Sequence, residues 1–551
     1  MEPEELLVNL RTFLSKNSLD YLLINGTDQF LVELNELSHN SRYHLTGFSG
    51  SCGEALLSKD RLWLFVDGRY HEQAAAEMHS YVSLCKLQMG AVFLEKLLEK
   101  VREESSFAVI SKKISLQFYD DLRNALERKH VNMIALSNDP VDIFYPITAE
   151  TEILSAEKID ESIAPATADV MWERFSQMLD GDHAFLETNL ENIAYFTNLR
   201  HYGSLYASTV RAKLLITKTV ALLFTDVPVK FVGQHFQIHP LDDFEKFLGR
   251  WKICYTPMTI NYADFSAIGD GAIPWKEDII GQWKSVKSDH EIAHYREIFS
   301  HADRVMERLE EHIHSSIGLS EKELSLAVEK EFLLQGAKCL SFPTILAIGK
   351  NSAVIHHCSP REDIFLKSGD IVLLDCGAYF SGGYATDMTR TFIVGEPDHL
   401  QKLVYSTVFK MFINSYHHAM DEHTTGNALD QIARNIAEHS RLLTNGFHFN
   451  HALGHGLGIG VHESPPAISS RGNDPLLPSM IFTLEPGLYR KGFGGVRLEN
   501  AVLLVRDEDG HHRLESLSRM KFQENAIDTR LLTQREIHWL HQWQESAGQT
   551  P

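Results

Sequence analysis

Apolar residues recur along this chain in two different periods, and the change from one to the other divides it. From Leu6 to about Asp139 the pattern predicts helix, strand, hairpin, strand, helix. Tyr21-Leu22-Leu23-Ile24 reads as a short buried strand, and Arg61 to Gly68 as another that closes on a turn signal. The intervening Tyr43 to Ser51 is rich in Gly and Ser and reads as a loop. A similar arrangement returns after residue 150. Ala184 to Glu187 is strand-like, Ile193 to Leu199 echoes the stretch from Tyr43, and Val220 to Asp226 echoes the strand that ends at Asp67. The expectation is an internal duplication of one α/β unit, offset by about 150 residues.

Near residue 284 the period lengthens to that of a helix. Ser288 with Glu291 makes a capping box, followed by Ile292, Tyr295, Ile298, Phe299, Ala302, Val305, Met306 and Leu309 at three-to-four spacing. Ser320 with Glu323 repeats the box for a helix to about Leu334. Further helices are predicted from His399 to Ala419, from Ala428 to Leu442 and, at the end, from Leu531 to Glu545. Strand-like runs alternate with these helices. The fold class that follows is two related α/β domains, 1–145 and 146–283, then an α+β domain, 284–551, with a curved antiparallel sheet and helices on its outer face.

Composition narrows the partners. The 551 residues are 44% hydrophobic and 23% charged, as in an ordinary globular protein. A net charge of -22 argues against nucleic acid, which calls for a basic stripe, and favours substrates with a free ammonium. No apolar run approaches the roughly 18 residues of a membrane span, and the acidic Met1-Glu2-Pro3-Glu4-Glu5 is unlike a basic targeting segment. The expected location is the cytoplasm, with no membrane partner. The six cysteines show no paired spacing, so reduced thiols are expected rather than disulfides or thiolate zinc.

The candidate chemistry lies in the last third. Asp375, Asp387, His455, Glu485 and Glu499 each sit in a short run of apolar, β-branched and glycine residues. A desolvated carboxylate costs several kcal/mol unless it is paired or binds a cation, and two divalent cations would balance four carboxylates. Oxygen ligands with one imidazole suit Mn²⁺, Co²⁺, Zn²⁺ or Mg²⁺. Alternation along Gly495 to Glu499 puts Arg497 and Glu499 on one face, with Arg497 placed to orient a ligand carboxylate through a bidentate fork. Asp375 and Asp387 are expected on adjacent strands. Cys376 should point to the opposite face from Asp375.

In these settings the five residues resemble the ligands of the metal-dependent pita-bread peptidases. The segments Tyr384 to Phe392, His451 to Gly458, Val461-His462-Glu463, Leu484 to Tyr489 and Gly495 to Asn500 are similar to that family's motifs. The resemblance implies that Asp375 and Asp387 bind one metal, that Asp387 and Glu499 bridge to a second completed by His455 and Glu485, and that manganese is the first choice, with cobalt or zinc next. It also implies that Glu485 handles the proton of the attacking water, that His462 contacts the scissile carbonyl, that His356 guides substrate and shuttles protons, and that His451 lies in the active site. Arg42 to Ser51, Asp67 to Tyr70 and Asn192 to Arg200 resemble the two leading domains of long, three-domain aminopeptidases P. Such enzymes remove the first residue of a peptide whose second residue is proline, and a homodimer is the expected assembly. The alternatives are an Xaa-Pro dipeptidase and a catalytically inactive pita-bread binding protein. Two departures from the family pattern border the pocket. The Asp375 to Asp387 stretch is one residue longer than usual, which suggests a bulged hairpin, and Gly458 to His462 is a compact form of its loop.

Overall fold

The computed structural model describes residues 2–88, 92–145, 154–507 and 509–546. Contacts divide the chain into two units, one within 1–158, 166–205 and 209–278, the other within 159–165, 206–208 and 279–551. The predicted junction after residue 145 falls against 146–153, outside the described residues.

The first unit contains two six-stranded sheets. Numbered in chain order within each sheet, the strands of both run 4-3-2-1-5-6. In both, strands 1, 2 and 3 pair antiparallel, whereas 3 with 4, 1 with 5 and 5 with 6 are parallel. Identical order and polarity are the duplication that the repeated strand pattern anticipates. The strand Tyr21–Ile24 shows why its sequence is apolar throughout: Leu22 and Ile24 join one buried cluster, Tyr21 and Leu23 another on the opposite face.

The two stretches read as a loop and its echo contain helices, Ser41–Thr46 and Leu190–Thr197. Each is capped by an Asn whose side chain accepts a backbone N–H, Asn40 from Tyr43 and Asn189 from Asn192. Each ends on a threonine that back-bonds one turn, Thr46 to the Arg42 carbonyl at 2.8 Å and Thr197 to the Ile193 carbonyl at 2.6 Å. The next residue is left-handed in both, Gly47 at φ 78° and Asn198 at φ 58°. With fewer than two turns, the first helix shows no apolar stripe, which is why it reads as loop.

The second unit is built on antiparallel pairing. A three-stranded sheet joins Ile345–Ile348, Ile371–Cys376 and Met388–Ile393; a five-stranded sheet orders Glu463–Ile468, Gly454–Gly456, Ile481–Leu484, Asn500–Arg506 and His512–Ser516; and Gly487–Arg490 pairs with Gly494–Arg497. The antiparallel pairing expected is present, divided among these sheets. Helices Asp289–Ser315, Glu321–Leu334, His399–Tyr416, Gly426–His439 and Gln534–Ser546 form close to where they are predicted, with both predicted capping boxes in place. Phe482, Leu488, Val496 and Val502 from the strands pack with Val408, Phe412, Leu429, Ala433 and Trp543 from the helices in one buried cluster.

If the Asn189 cap holds its helix as described, Asn189→Ala lowers stability by about 1 kcal/mol in urea denaturation; no change would show that the cap is idle.

Candidate metal centre

Asp375 lies near the end of the strand Ile371–Cys376 and faces Thr389 across the ladder. Asp387 immediately precedes the strand Met388–Ile393, two residues before Thr389, so alternation puts Asp375, Asp387 and Thr389 on one face. Cys376 and Met388 take the other, and the Cys376 thiol meets the Met306 sulfur at 3.5 Å, as the alternation anticipates. The expected bulge between the aspartates is absent. The register from Ile371↔Ile393 to Cys376↔Met388 carries on to the Tyr379↔Ala385 bridge, and the extra length is taken up in the turn, where Gly382 and Gly383 have positive φ. The irregularity falls instead between His455 and Gly456.

The strands gather the remaining groups. His455 Nε2 lies 3.5 Å from Asp387 Oδ2 and 3.5 Å from Glu485 Oε1. One ligand atom each from Asp387, His455 and Glu499 falls within 4.8 Å of the others. Asp375, Asp387 and Glu499 are buried, while the side chains of His455 and Glu485 are 20% and 18% exposed, so the open side of the cluster is theirs. Close backbone approach allows this: a Cβ on Gly454 would run into the Thr483 carbonyl beside the His455 strand.

Arg497 does not make the expected bidentate fork. Its Nη2 donates to Asp375 Oδ2 at 2.6 Å, Nη1 to the Tyr489 hydroxyl at 2.8 Å and to the Ile355 carbonyl at 3.3 Å, and Nε to the Thr389 hydroxyl at 3.2 Å. Thr389 in turn donates to Glu499 Oε2 at 2.6 Å. One guanidinium thus orients two of the five candidate ligands, one of them through a threonine. That arrangement leaves Asp375 Oδ1 and Glu499 Oε1 buried with no hydrogen-bond partner among the described residues. Buried carboxylate oxygens without donors are what a divalent cation satisfies, and the donor set fits a hard or borderline ion.

The histidines differ in their settings. His462 is exposed, its ring edge-on to that of His455 with centroids 4.5 Å apart. His451 Nε2 is 3.0 Å from the Tyr489 hydroxyl and Nδ1 is 3.8 Å from Glu485 Oε2, on a loop rather than a helix. Arg497 donates to the same hydroxyl, and His451 Nδ1 lies 2.8 Å from the Ala452 carbonyl. His357, the neighbour that competes with His356, is held at 2.9 Å by the buried Glu321. His356 follows Ile355, whose carbonyl accepts from Arg497. Thr389, Tyr489 and Glu463 are positions the motif reading passed over. Tyr489 stands inside a quoted motif and Thr389 two residues from Asp387, but nothing in their sequence context marks a hydroxyl as a link.

Comparison with known proteins agrees with this geometry. Residues 293–506 match the model of metallopeptidase family M24, and residues 7–141 that of the creatinase/prolidase N-terminal domain. Residues 293–506 thus form a metallopeptidase M24 domain. Among M24 relatives, a probable Xaa-Pro aminopeptidase P of Coprinopsis cinerea is 26% identical over 602 residues, covering 98% of this chain and 94% of its own. An X-prolyl aminopeptidase of Caenorhabditis elegans, described as a cytosolic enzyme with a di-nuclear active site, superposes with TM-score 0.90 at 24% identity, over 99% of this chain and 95% of its own. A prolidase of Pyrococcus horikoshii is 26% identical with TM-score 0.52, and covers only 66% of this chain although 99% of its own. The family fold is therefore a creatinase-type N-terminal region followed by a pita-bread domain.

Crowding has a titration consequence. Burial, then the charge of Asp375, pushes Glu499 up to about 8. Burial, then Glu499, Asp375 and Glu485, holds Asp387 well above the ordinary carboxylate range. A carboxyl raised in the folded chain binds its proton more tightly there, so its contribution to stability is full below the ordinary pKa near 4.5 and is lost as pH rises through about 8. Burial raises Glu54 and Glu187 to about 8 as well, adding in the same direction. Because half-buried histidines such as His417, lowered to about 4, shift stability the opposite way, the effect is read as a difference between variants. From about pH 5 to about pH 8 chelator-treated wild type loses more melting temperature, or gains less, than Glu499→Gln, and an identical pH profile contradicts the crowding.

Proposed function

We propose that this chain is an Xaa-Pro aminopeptidase, which removes the first residue of peptides with proline in second position, and that it works with two divalent ions, manganese first. The observation that supports this most is the convergence of Asp375, Asp387, His455, Glu485 and Glu499 with two carboxylate oxygens lacking protein donors. The choice of aminopeptidase P over prolidase rests on the near full-length match to a probable Xaa-Pro aminopeptidase P, against about two thirds of the chain for the Pyrococcus horikoshii prolidase. Domain limits at 1–145, 146–283 and 284–551 belong to the same proposal.

In this reading Asp375 and Asp387 would hold one ion, and Asp387 and Glu499 with His455 and Glu485 the second. When bound, the ions would supply Lewis acidity and lower the pKa of the attacking water. The chain's own groups do the rest. Glu485, on the open side of the cluster, takes the proton of the attacking water. His462, at the rim beside His455, donates to the oxygen that gains charge. Arg497 aims Asp375, and His451, in contact with the Tyr489 hydroxyl, lies beside Glu485. His356 orients the peptide and passes protons. A proline nitrogen carries no hydrogen and its ring fixes the backbone, so the bond needs a shaped site rather than a general one. The acidic surface suits a peptide's free ammonium. A cytoplasmic location is proposed with it; no helix among the described residues is long and apolar enough to cross a membrane. Assembly as a homodimer, without nucleic acid, completes the reading.

A peptide panel varying the second residue, run with Mn²⁺ and with chelator, tests it. Xaa-Pro-Yaa is cleaved with metal and Xaa-Ala-Yaa is not, whereas activity confined to Xaa-Pro dipeptides makes the enzyme a prolidase. Glu485→Ala lowers kcat on the cleaved peptide by about 10²-fold or more with the fold intact; an unchanged kcat overturns the mechanism.

A further inference from the structure

Behind the His462 loop lies a buried ion cluster that the chemistry above does not use. We propose that Lys284, Lys287, Glu463 and Glu291 form a clamp that fixes the His462 imidazole opposite His455, which makes Glu463 and its two lysines positioning residues for turnover. The inference rests on the peptidase reading only in requiring that His462 matter.

Glu463 directly follows His462 and is buried, as are Lys284 and Lys287. Lys284 Nζ lies 2.9 Å from Glu463 Oε1 and Lys287 Nζ 3.4 Å from Oε2. Burial alone would push the Glu463 carboxyl up, yet the two ammonium charges hold it below its ordinary value. Glu291 lies beside them, accepting the Ser288 N–H at 2.8 Å and the Tyr384 hydroxyl at 3.0 Å, and burial raises its carboxyl against the charge of Lys287. A buried carboxylate held by two ammoniums is hard to strip of one partner alone.

The cluster touches both sides of the metal centre. Glu463 Oε1 accepts the Gly460 N–H at 3.1 Å, and a Cβ on Gly458 would run into the Glu463 carboxylate, so the compact loop from Gly458 to Val461 is wrapped on that group. The Gly458 carbonyl accepts the Ala385 N–H at 2.8 Å. Glu291, through Tyr384, holds the same segment three residues before Asp387. The Lys287 N–H donates to the Ser479 carbonyl at 2.9 Å, just ahead of the strand that leads to Glu485. The imidazole of His462 is exposed, but Ile459 and Val461 before it are buried and the residue after it is anchored by two buried ammoniums.

The test is a double-mutant cycle with hydrogen exchange on the full-length protein. On whichever peptide the wild type cleaves, Glu463→Gln lowers kcat by about tenfold to a hundredfold with KM within about twofold and metal content unchanged. In a His462→Ala background the same change costs less than about twofold further, because its effect passes through that imidazole. Lys284→Arg keeps most of kcat where Lys284→Met does not. Independently of any peptide, Glu463→Gln speeds amide exchange across Gly458 to Val461 while the strands beside it stay protected. Should Glu463→Gln fail to fold, Lys284→Met with Glu463→Gln preserves the cluster's net charge and is read in the same way. An equal kcat loss with and without His462, or loop exchange unaltered, overturns the clamp; loss of all peptide cleavage by the wild type strikes the peptidase reading and leaves the exchange result standing.

Discussion

Carboxylates brought together away from water repel one another, and each gives up hydration that only a cation or a donor can replace. The second unit of this chain accepts that cost in one place. Asp375, Asp387 and Glu499 are buried side by side, Glu485 closes the group, and the charge of Arg497 is shared among an aspartate, a threonine, a tyrosine and a carbonyl. The short strands, the turn at Gly382 and Gly383 and the close approach at Gly454 all serve to bring these groups within reach. An apolar core of the same shape would be easier to fold. The arrangement makes sense when countercharge arrives from outside the chain.

The link from ligands to surroundings runs through hydroxyls. Arg497 reaches Glu499 by way of Thr389 and reaches His451 by way of Tyr489. The aim of Asp375, the aim of Glu499 and the contact with the His451 ring thus converge on one side chain.

Much of this was legible in the residues. Helices with capping boxes formed where Ser288 and Ser320 announce them, and the repeated strand pattern matched a repeated sheet order down to polarity. The four candidate carboxylates stood out because acids among apolar and β-branched neighbours are costly without a purpose, and His455 stood out in the same kind of setting. What escaped was whatever depends on register and three-dimensional neighbours. The helix Ser41–Thr46 is too short to show a period. The irregular pairing sits at His455 rather than between the aspartates, since glycines with positive φ absorb an extra residue in a turn without disturbing the ladder. Thr389, Tyr489 and Glu463 act through partners more than eighty residues away or through contacts no spacing encodes, as the Thr389 bond to Glu499 and the Glu463 pairs with Lys284 and Lys287 illustrate.

The claim on which the rest stands is that the buried acids exist to hold cations. Elemental analysis of the extensively dialysed protein, reloaded with Mn²⁺, measures it most directly. The account predicts about two divalent ions per chain, falling toward none when Asp387 and Glu499 are both changed to their amides. A wild-type chain that keeps no stoichiometric metal, or a doubly substituted chain that keeps both ions, would contradict it.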